Sequence, residues 1–191
     1  MTKFLATQTG QKLAYSFTKG TGPTVVFLGG FKSDMEGSKA IFLEKWARKR
    51  NRSFLRFDYS GHGQSSGDFL NLGIGDWFND AKQIIELTKN NGLILIGSSM
   101  GGWISLLLSR ELGSRLKGLI TIAAAPDFTE DSMWKNFTED QKKEVLNKGV
   151  LYLPSDYGEP YPITRYLIEN GRQNLVCLLY TSDAADEVLG V

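Results

Sequence analysis

The stretch Leu93-Ile94-Leu95-Ile96-Gly97-Ser98-Ser99-Met100-Gly101-Gly102-Trp103-Ile104 carries two periodicities back to back. Its continuous apolar run up to Gly97 reads as a strand buried on both faces. Met100, Trp103, Ile104, Leu107 and Leu108 then recur at helical spacing. A buried strand feeding an amphipathic helix is half of a β-α-β crossover, and the same alternation recurs on either side. Residues 24–28, 54–57 and 119–123 are further short apolar runs, and residues 41–49 and 77–88 are further helical patterns, the latter with Asp76 placed to cap. Strands alternating with helices predict the α/β class: an open, mostly parallel sheet with helices on both faces. Residues 4–17 alternate more loosely around Gly10-Gln11 and read as an edge hairpin.

Composition narrows the chemistry. The 191 residues hold 22 Lys+Arg against 21 Asp+Glu, and a net charge of +1 gives no electrostatic case for nucleic acid or a membrane surface. One cysteine and one histidine exclude a Cys/His metal cage by count, and no metal or organic cofactor is expected. Met1-Thr2-Lys3-Phe4-Leu5 lacks the apolar core of a secretory signal, and no run is long enough for a membrane span. A cytoplasmic location is the expectation. Lys45, Arg48, Lys49, Arg50 and Arg52 read as the wet end of a helix beside Trp46. The single histidine has a sharper consequence: a hydrolytic mechanism near neutral pH must use His62 or draw its base from outside this chain.

Gly97-Ser98-Ser99-Met100-Gly101 fits G-x-S-x-G in one frame only, with Ser99 at the centre of a strand–turn–helix junction. Small residues permit a sharp turn that lifts the serine off the sheet, and the amides opening the following helix favour developing negative charge. A phosphate-cradling turn or simple helix–strand packing is the alternative. A phosphate site would want a lysine or further donors in the loop, and residues 97–103 carry no lysine. Acyl transfer needs two amides for the oxyanion. Met100 supplies one, and Phe31, after Leu28-Gly29-Gly30, supplies the other. Asp58-Tyr59-Ser60-Gly61-His62-Gly63-Gln64-Ser65 reads as a structural turn in which Asp58 fixes backbone amides and His62 is not the base.

These three motifs, in this order, resemble the α/β-hydrolase fold. Met35-Glu36-Gly37-Ser38-Lys39-Ala40, residues 56–61, residues 97–103 and Lys142-Lys143-Glu144-Val145-Leu146-Asn147-Lys148-Gly149-Val150 are similar to the abhydrolase-domain palmitoyl-protein thioesterases, a group that includes an acyl-glucuronide esterase. The resemblance covers residues 13–175. It implies a serine hydrolase of acyl esters or thioesters, with Ser99 as nucleophile and Phe31 and Met100 lining the oxyanion hole. The substrate would be a small acyl ester or an S-acylated protein. Residues 1–126 would form the core. Residues 127–175, where Thr138-Glu139-Asp140-Gln141 has capping-box spacing and no strand is evident, would form a helical cap over an acyl pocket.

The resemblance stops near Val176. Family members continue with two more strands, one followed by the catalytic Asp and the other by the catalytic His. Here residues 176–191 read as a non-native tail resembling translated sequencing adapter, so Asp183, Asp186 and Glu187 are not recruited as acids and Cys177 carries no redox information. Asp127 is a weak candidate acid. Residues 119–123 are expected to be an interior strand that truncation exposes, and the chain as written is expected to be inactive and poorly soluble. A catalytically incomplete fragment, or a lyase or binding module on the same fold, is the alternative.

Overall fold

The computed structural model describes residues 2–89, 92–154 and 160–176. Strands β1 (Lys3–Ala6), β2 (Lys12–Thr18), β3 (Thr21–Leu28), β4 (Arg52–Phe57), β5 (Leu93–Ser98) and β6 (Leu116–Ile122) form one sheet in the order β1-β2-β4-β3-β5-β6. β1 and β2 make the expected antiparallel edge hairpin, and β2 pairs antiparallel with β4. The β4–β3–β5–β6 ladder is parallel throughout, which requires crossovers. Helices α1 (Ser38–Lys49), α2 (Ile74–Ile85) and α3 (Met100–Leu112) supply them.

Burial explains why the strands read as unbroken apolar runs. Val25 and Phe27 of β3 join Phe54 and Ile96 beneath Ala40 and Ala47, small residues that let α1 approach the sheet. Val26 and Leu28 alternate to the opposite face and are buried as well. Asp76 differs from expectation. α2 begins two residues earlier, at Ile74, so Asp76 lies in the first turn, where its charge complements the helix dipole rather than capping the end. β6 is the exposed edge expected of the chain as written: among the described residues it is the last strand of the sheet, and Ile120 is 51% exposed. The interior placement assumed strands beyond it, and none falls within the described residues.

The chain forms two compact units, the first comprising residues 1–69 and 76–125 and the second residues 70–75 with the described residues from Pro126 onward. The second contains a correction. Strands β7 (Val150–Leu153) and β8 (Tyr161–Thr164) form an antiparallel hairpin where no strand was expected. Each is too short to show a period, and Pro162 argues against a strand when read alone. Helix α4 (Glu139–Lys148) carries the predicted capping box: Gln141 N–H donates to Thr138 Oγ1 at 3.2 Å, and Thr138 N–H to Gln141 Oε1 at 2.9 Å. Thr164 caps helix α5 (Arg165–Arg172) by accepting from Leu167 N–H. Val176, placed by sequence at the start of the tail, is buried here and donates its N–H to Asp127. Cys177, Asp183, Asp186 and Glu187 lie outside the described residues.

A buried ionic cluster ties α1 to β4 in the first unit. Arg56 donates through Nε to Glu44 at 2.8 Å, and through NH1 to Glu36 at 2.8 Å and to the Met35 carbonyl at 2.7 Å. Glu44 also accepts from Thr18 and Arg48. Burial alone would raise its pKa, but the hydrogen bonds from Arg48, Thr18 and Arg56 hold it down at about 2.

The β5–α3 junction leaves no room for a side chain at Gly97 or Gly101. A Cβ on Gly97 would sit 2.3 Å from the Gly101 oxygen, and one on Gly101 would sit 2.1 Å from the Leu28 carbonyl oxygen. Gly101→Ala is therefore expected to cost roughly 3 kcal/mol or more, since backbone must move on both sides of the contact. Urea unfolding measures this, and an unchanged midpoint would show that α3 can shift freely at this turn.

Candidate active site

Ser99 stands between β5 and α3 at φ 54° and ψ −120°, a conformation a non-glycine residue holds only when its surroundings enforce it. The enforcement is visible. Ser99 N–H donates to the Ile122 carbonyl at 3.0 Å, and the Ser99 carbonyl accepts from Gly102 at 2.8 Å and Ala125 at 3.2 Å. A serine just before a helix ordinarily caps it, yet the Ser99 side chain makes no cap hydrogen bond. The hydroxyl is spared for other chemistry. Ser98 is buried in the β5 ladder opposite Ile122, so the two adjacent serines have distinct settings.

The loop after β3 runs directly beside Ser99, where a Cβ on Gly30 would come 3.3 Å from Ser99 Cβ. Ser33 folds this loop on itself. Gly30 N–H donates to Ser33 Oγ at 2.8 Å, while Ser33 Oγ–H and N–H both donate to the Gly30 carbonyl. The Gly30 amide is thus occupied, and Phe31 is the next residue along. Met100 opens α3, where amides lack an intrahelical acceptor. A cavity of about 130 Å³ lies beside Gly30, lined among others by Phe27, Ser33, Ser38, Lys39 and Ser98. A larger cleft of about 540 Å³ includes none of these residues, and its charges pair with one another (Lys82 with Glu111, Arg115 with Glu86).

Asp58 acts as expected, accepting from Met35 N–H at 2.6 Å and Gln64 N–H at 2.8 Å. His62 is buried within an aromatic box, its ring 5.1 Å from Trp77, 5.2 Å from Phe69 and 5.8 Å from Tyr59. Lys32 N–H donates to its Nε2 at 3.2 Å, and an amide can only donate, so Nδ1 carries the ring proton and gives it to the Ser60 carbonyl at 3.1 Å. Burial, with the nearby Lys32 cation, pushes the His62 pKa down to about 4 although the Ser60 carbonyl opposes the fall. Asp127 lies in the second unit, where its carboxylate accepts Val176 N–H at 2.9 and 3.2 Å. Among the described residues no three His, Cys, Asp or Glu side chains converge as metal ligands, and no helix is long and apolar enough to cross a membrane.

Two residues escaped the sequence reading. Ser33 signals itself only as a serine three residues after Gly30. Asp80 lies three residues from Trp77 and one before Ala81, on the apolar stripe of α2, where a carboxylate needs a partner. Its partner is Ser60 N–H at 2.8 Å.

A mostly parallel sheet, a strained serine between β5 and α3, and a Gly-Gly loop beside it place the chain among the α/β-hydrolases. It belongs to the serine aminopeptidase S33 family, whose pattern matches residues 21–165. It is similar to human mitochondrial palmitoyl-protein thioesterase ABHD10, 34% identical over 171 residues that cover 88% of this chain and 55% of the relative. The rat protein is 33% identical over 171 residues, covering 88% of this chain and 57% of its own length. The chain thus spans a little over half the length of these curated relatives. Among solved structures, a protein from Agrobacterium vitis S4 with a provisional hydrolase name superposes with TM-score 0.87 at 34% identity, covering 92% of this chain and 72% of its own. Mouse α/β hydrolase domain-containing protein 10 gives TM-score 0.82 at 31% identity, covering 92% and 71%.

Burial, with repulsion from Asp76, raises the Asp80 pKa to about 6 against the hydrogen bond from Ser60 N–H. A raised carboxylate contributes stability that is present below its unfolded pKa of 3.8 and is lost as pH rises through about 6. His62 has the opposite sign: its contribution is present above 6.5 and is lost as pH falls through about 4. Between these limits the two offset. Asp80→Asn keeps an acceptor for Ser60 but removes one slope, so urea midpoints of this variant should fall more steeply than wild type on acidification from about pH 6.5 to 4. Parallel curves for the two proteins would refute the opposed titration.

Proposed function

We propose that the protein is a serine hydrolase of acyl esters or thioesters, with Ser99 as nucleophile and the Phe31 and Met100 amides as oxyanion donors. The observation that carries this reading is the spared hydroxyl of a backbone-strained serine, set against the Gly29-Gly30 loop that passes close beside its Cβ. Ser99 Oγ attacks the acyl carbonyl carbon, the carbonyl oxygen takes the charge, and the leaving alkoxide or thiolate departs with the acyl group held on Ser99. Water then releases the acid. His62 has both ring nitrogens engaged, so the base that accepts the serine proton and the acid that orients it are assigned to the part of the longer relatives that this chain does not match. The ABHD10 relatives are named palmitoyl-protein thioesterases, which supports S-acylated cysteine as a substrate. Small acyl esters, acyl glucuronides among them, rest on the family resemblance of the sequence motifs. A cytoplasmic location is proposed only as an alternative to that of those relatives, which are named mitochondrial, and cell fractionation decides between the compartments.

The test uses p-nitrophenyl acyl esters and the full-length gene product. Ser99→Ala is expected to lower kcat by on the order of 10⁴–10⁶, as for loss of a triad nucleophile, while Ser98→Ala is tolerated. Equal losses from the two substitutions would sink the assignment.

A further inference from the structure

We infer that His62 is a positioning residue for the oxyanion loop, holding the Phe31 amide in place through the backbone of Lys32. The inference rests on the reading of Ser99 and Phe31 given above.

Phe31 stands between two pinned neighbours. On one side Ser33 holds Gly30 through hydrogen bonds to both its amide and its carbonyl. On the other, Lys32 adopts φ 53°, a left-handed conformation that a lysine does not favour, and its N–H is received by His62 Nε2. The Phe31 ring meets Phe69 and Trp77 edge-on at 5.2 and 6.0 Å, so the side chain is held by the same box that encloses His62.

The histidine is itself anchored. Its Nδ1–H donates to the Ser60 carbonyl, which also accepts from Trp77 Nε1 at 3.1 Å, and the Ser60 amide is held by Asp80. A continuous path of hydrogen bonds therefore runs from α2 through the Ser60 peptide and the imidazole to the residue after the proposed oxyanion donor. The position demands a planar ring that fills an aromatic box, donates from one edge and accepts on the other. Neutral imidazole meets all three requirements. Its lowered pKa keeps the accepting nitrogen bare across the neutral range. Proximity to the oxyanion donor, rather than proton transfer, then explains why the chain's only histidine sits in a loop after a different strand.

The test compares His62→Phe, which keeps the ring and loses the acceptor, with His62→Gln, whose amide oxygen can occupy the place of Nε2. In the full-length protein, His62→Phe is expected to lower kcat about 10²-fold, the scale for a lost oxyanion donor. KM for p-nitrophenyl esters should stay within about threefold, and a trifluoromethyl ketone, which forms a tetrahedral oxyanion on serine, should weaken as kcat does. His62→Gln should recover most of both. A wild-type kcat in His62→Phe, or a loss of kcat with unchanged ketone affinity, would overturn the inference. If His62→Phe does not fold, nitrogen-15 NMR of the wild-type protein decides. A coupling across the hydrogen bond from the Lys32 amide to Nε2, with the proton on Nδ1, supports the role, and a proton on Nε2 refutes it. Hydrolysis that survives Ser99→Ala defeats the enzymatic reading, whereas the NMR arm reads the loop regardless of turnover.

Discussion

The tightest glycine contact among the described residues lies between the first turn of α3 and the end of β3, where Gly101 meets the Leu28 carbonyl with no space for a methyl group. Because that contact forms, α3 starts immediately after β5, and the intervening residue must take a backbone conformation it would not choose alone. Ser99 is that residue. The same contact brings the Gly29-Gly30 turn alongside it, since Leu28 leads directly into that loop. The strain at Ser99, on the order of 1–3 kcal/mol for such a conformation, is held by hydrogen bonds to Ile122, Gly102 and Ala125. Packing, not local preference, sets the geometry of the site.

Much of this was legible because it is local in sequence. Strands buried on both faces leave runs such as residues 24–28 and 93–96, and the capping box at Thr138 and Gln141 is written in four consecutive residues. Ser99 was legible for the same reason, as a strand, turn and helix follow within a few residues. What stayed hidden depends on partners distant in the chain. The β7–β8 hairpin joins two four-residue strands, one containing a proline, and neither has a period to read. The start of α2 at Ile74 displaced Asp76 from cap to first turn. Ser33 and Asp80 became recognisable only once the atoms they receive or hold were in place.

Two buried carboxylates show how surroundings decide charge. Glu44 accepts from two guanidinium groups, and its acidity increases despite burial. Asp80 is offered a backbone amide and no cation, lies near Asp76, and becomes a weaker acid. The first arrangement fastens a helix to the sheet. The second supports the Ser60 peptide, on which His62 and Trp77 both converge. His62 illustrates the same rule in the opposite sense, kept neutral by an aromatic enclosure that would make an imidazolium costly.

The Arg56 cluster has a bearing on how such a sequence can diverge. Losing Glu44 leaves Arg56 with the half-exposed Glu36 and the Met35 carbonyl, and losing Arg56 leaves Glu44 to Arg48 and two hydroxyls. Exchanging both for apolar residues takes these partners from the Met35 carbonyl and the Ser16 and Thr18 hydroxyls. Positions 44 and 56 are thereby coupled in inheritance not only to each other but to positions 16, 18 and 36, whose side chains share the same charges. Arg48, with its side chain largely in solvent, carries no such obligation.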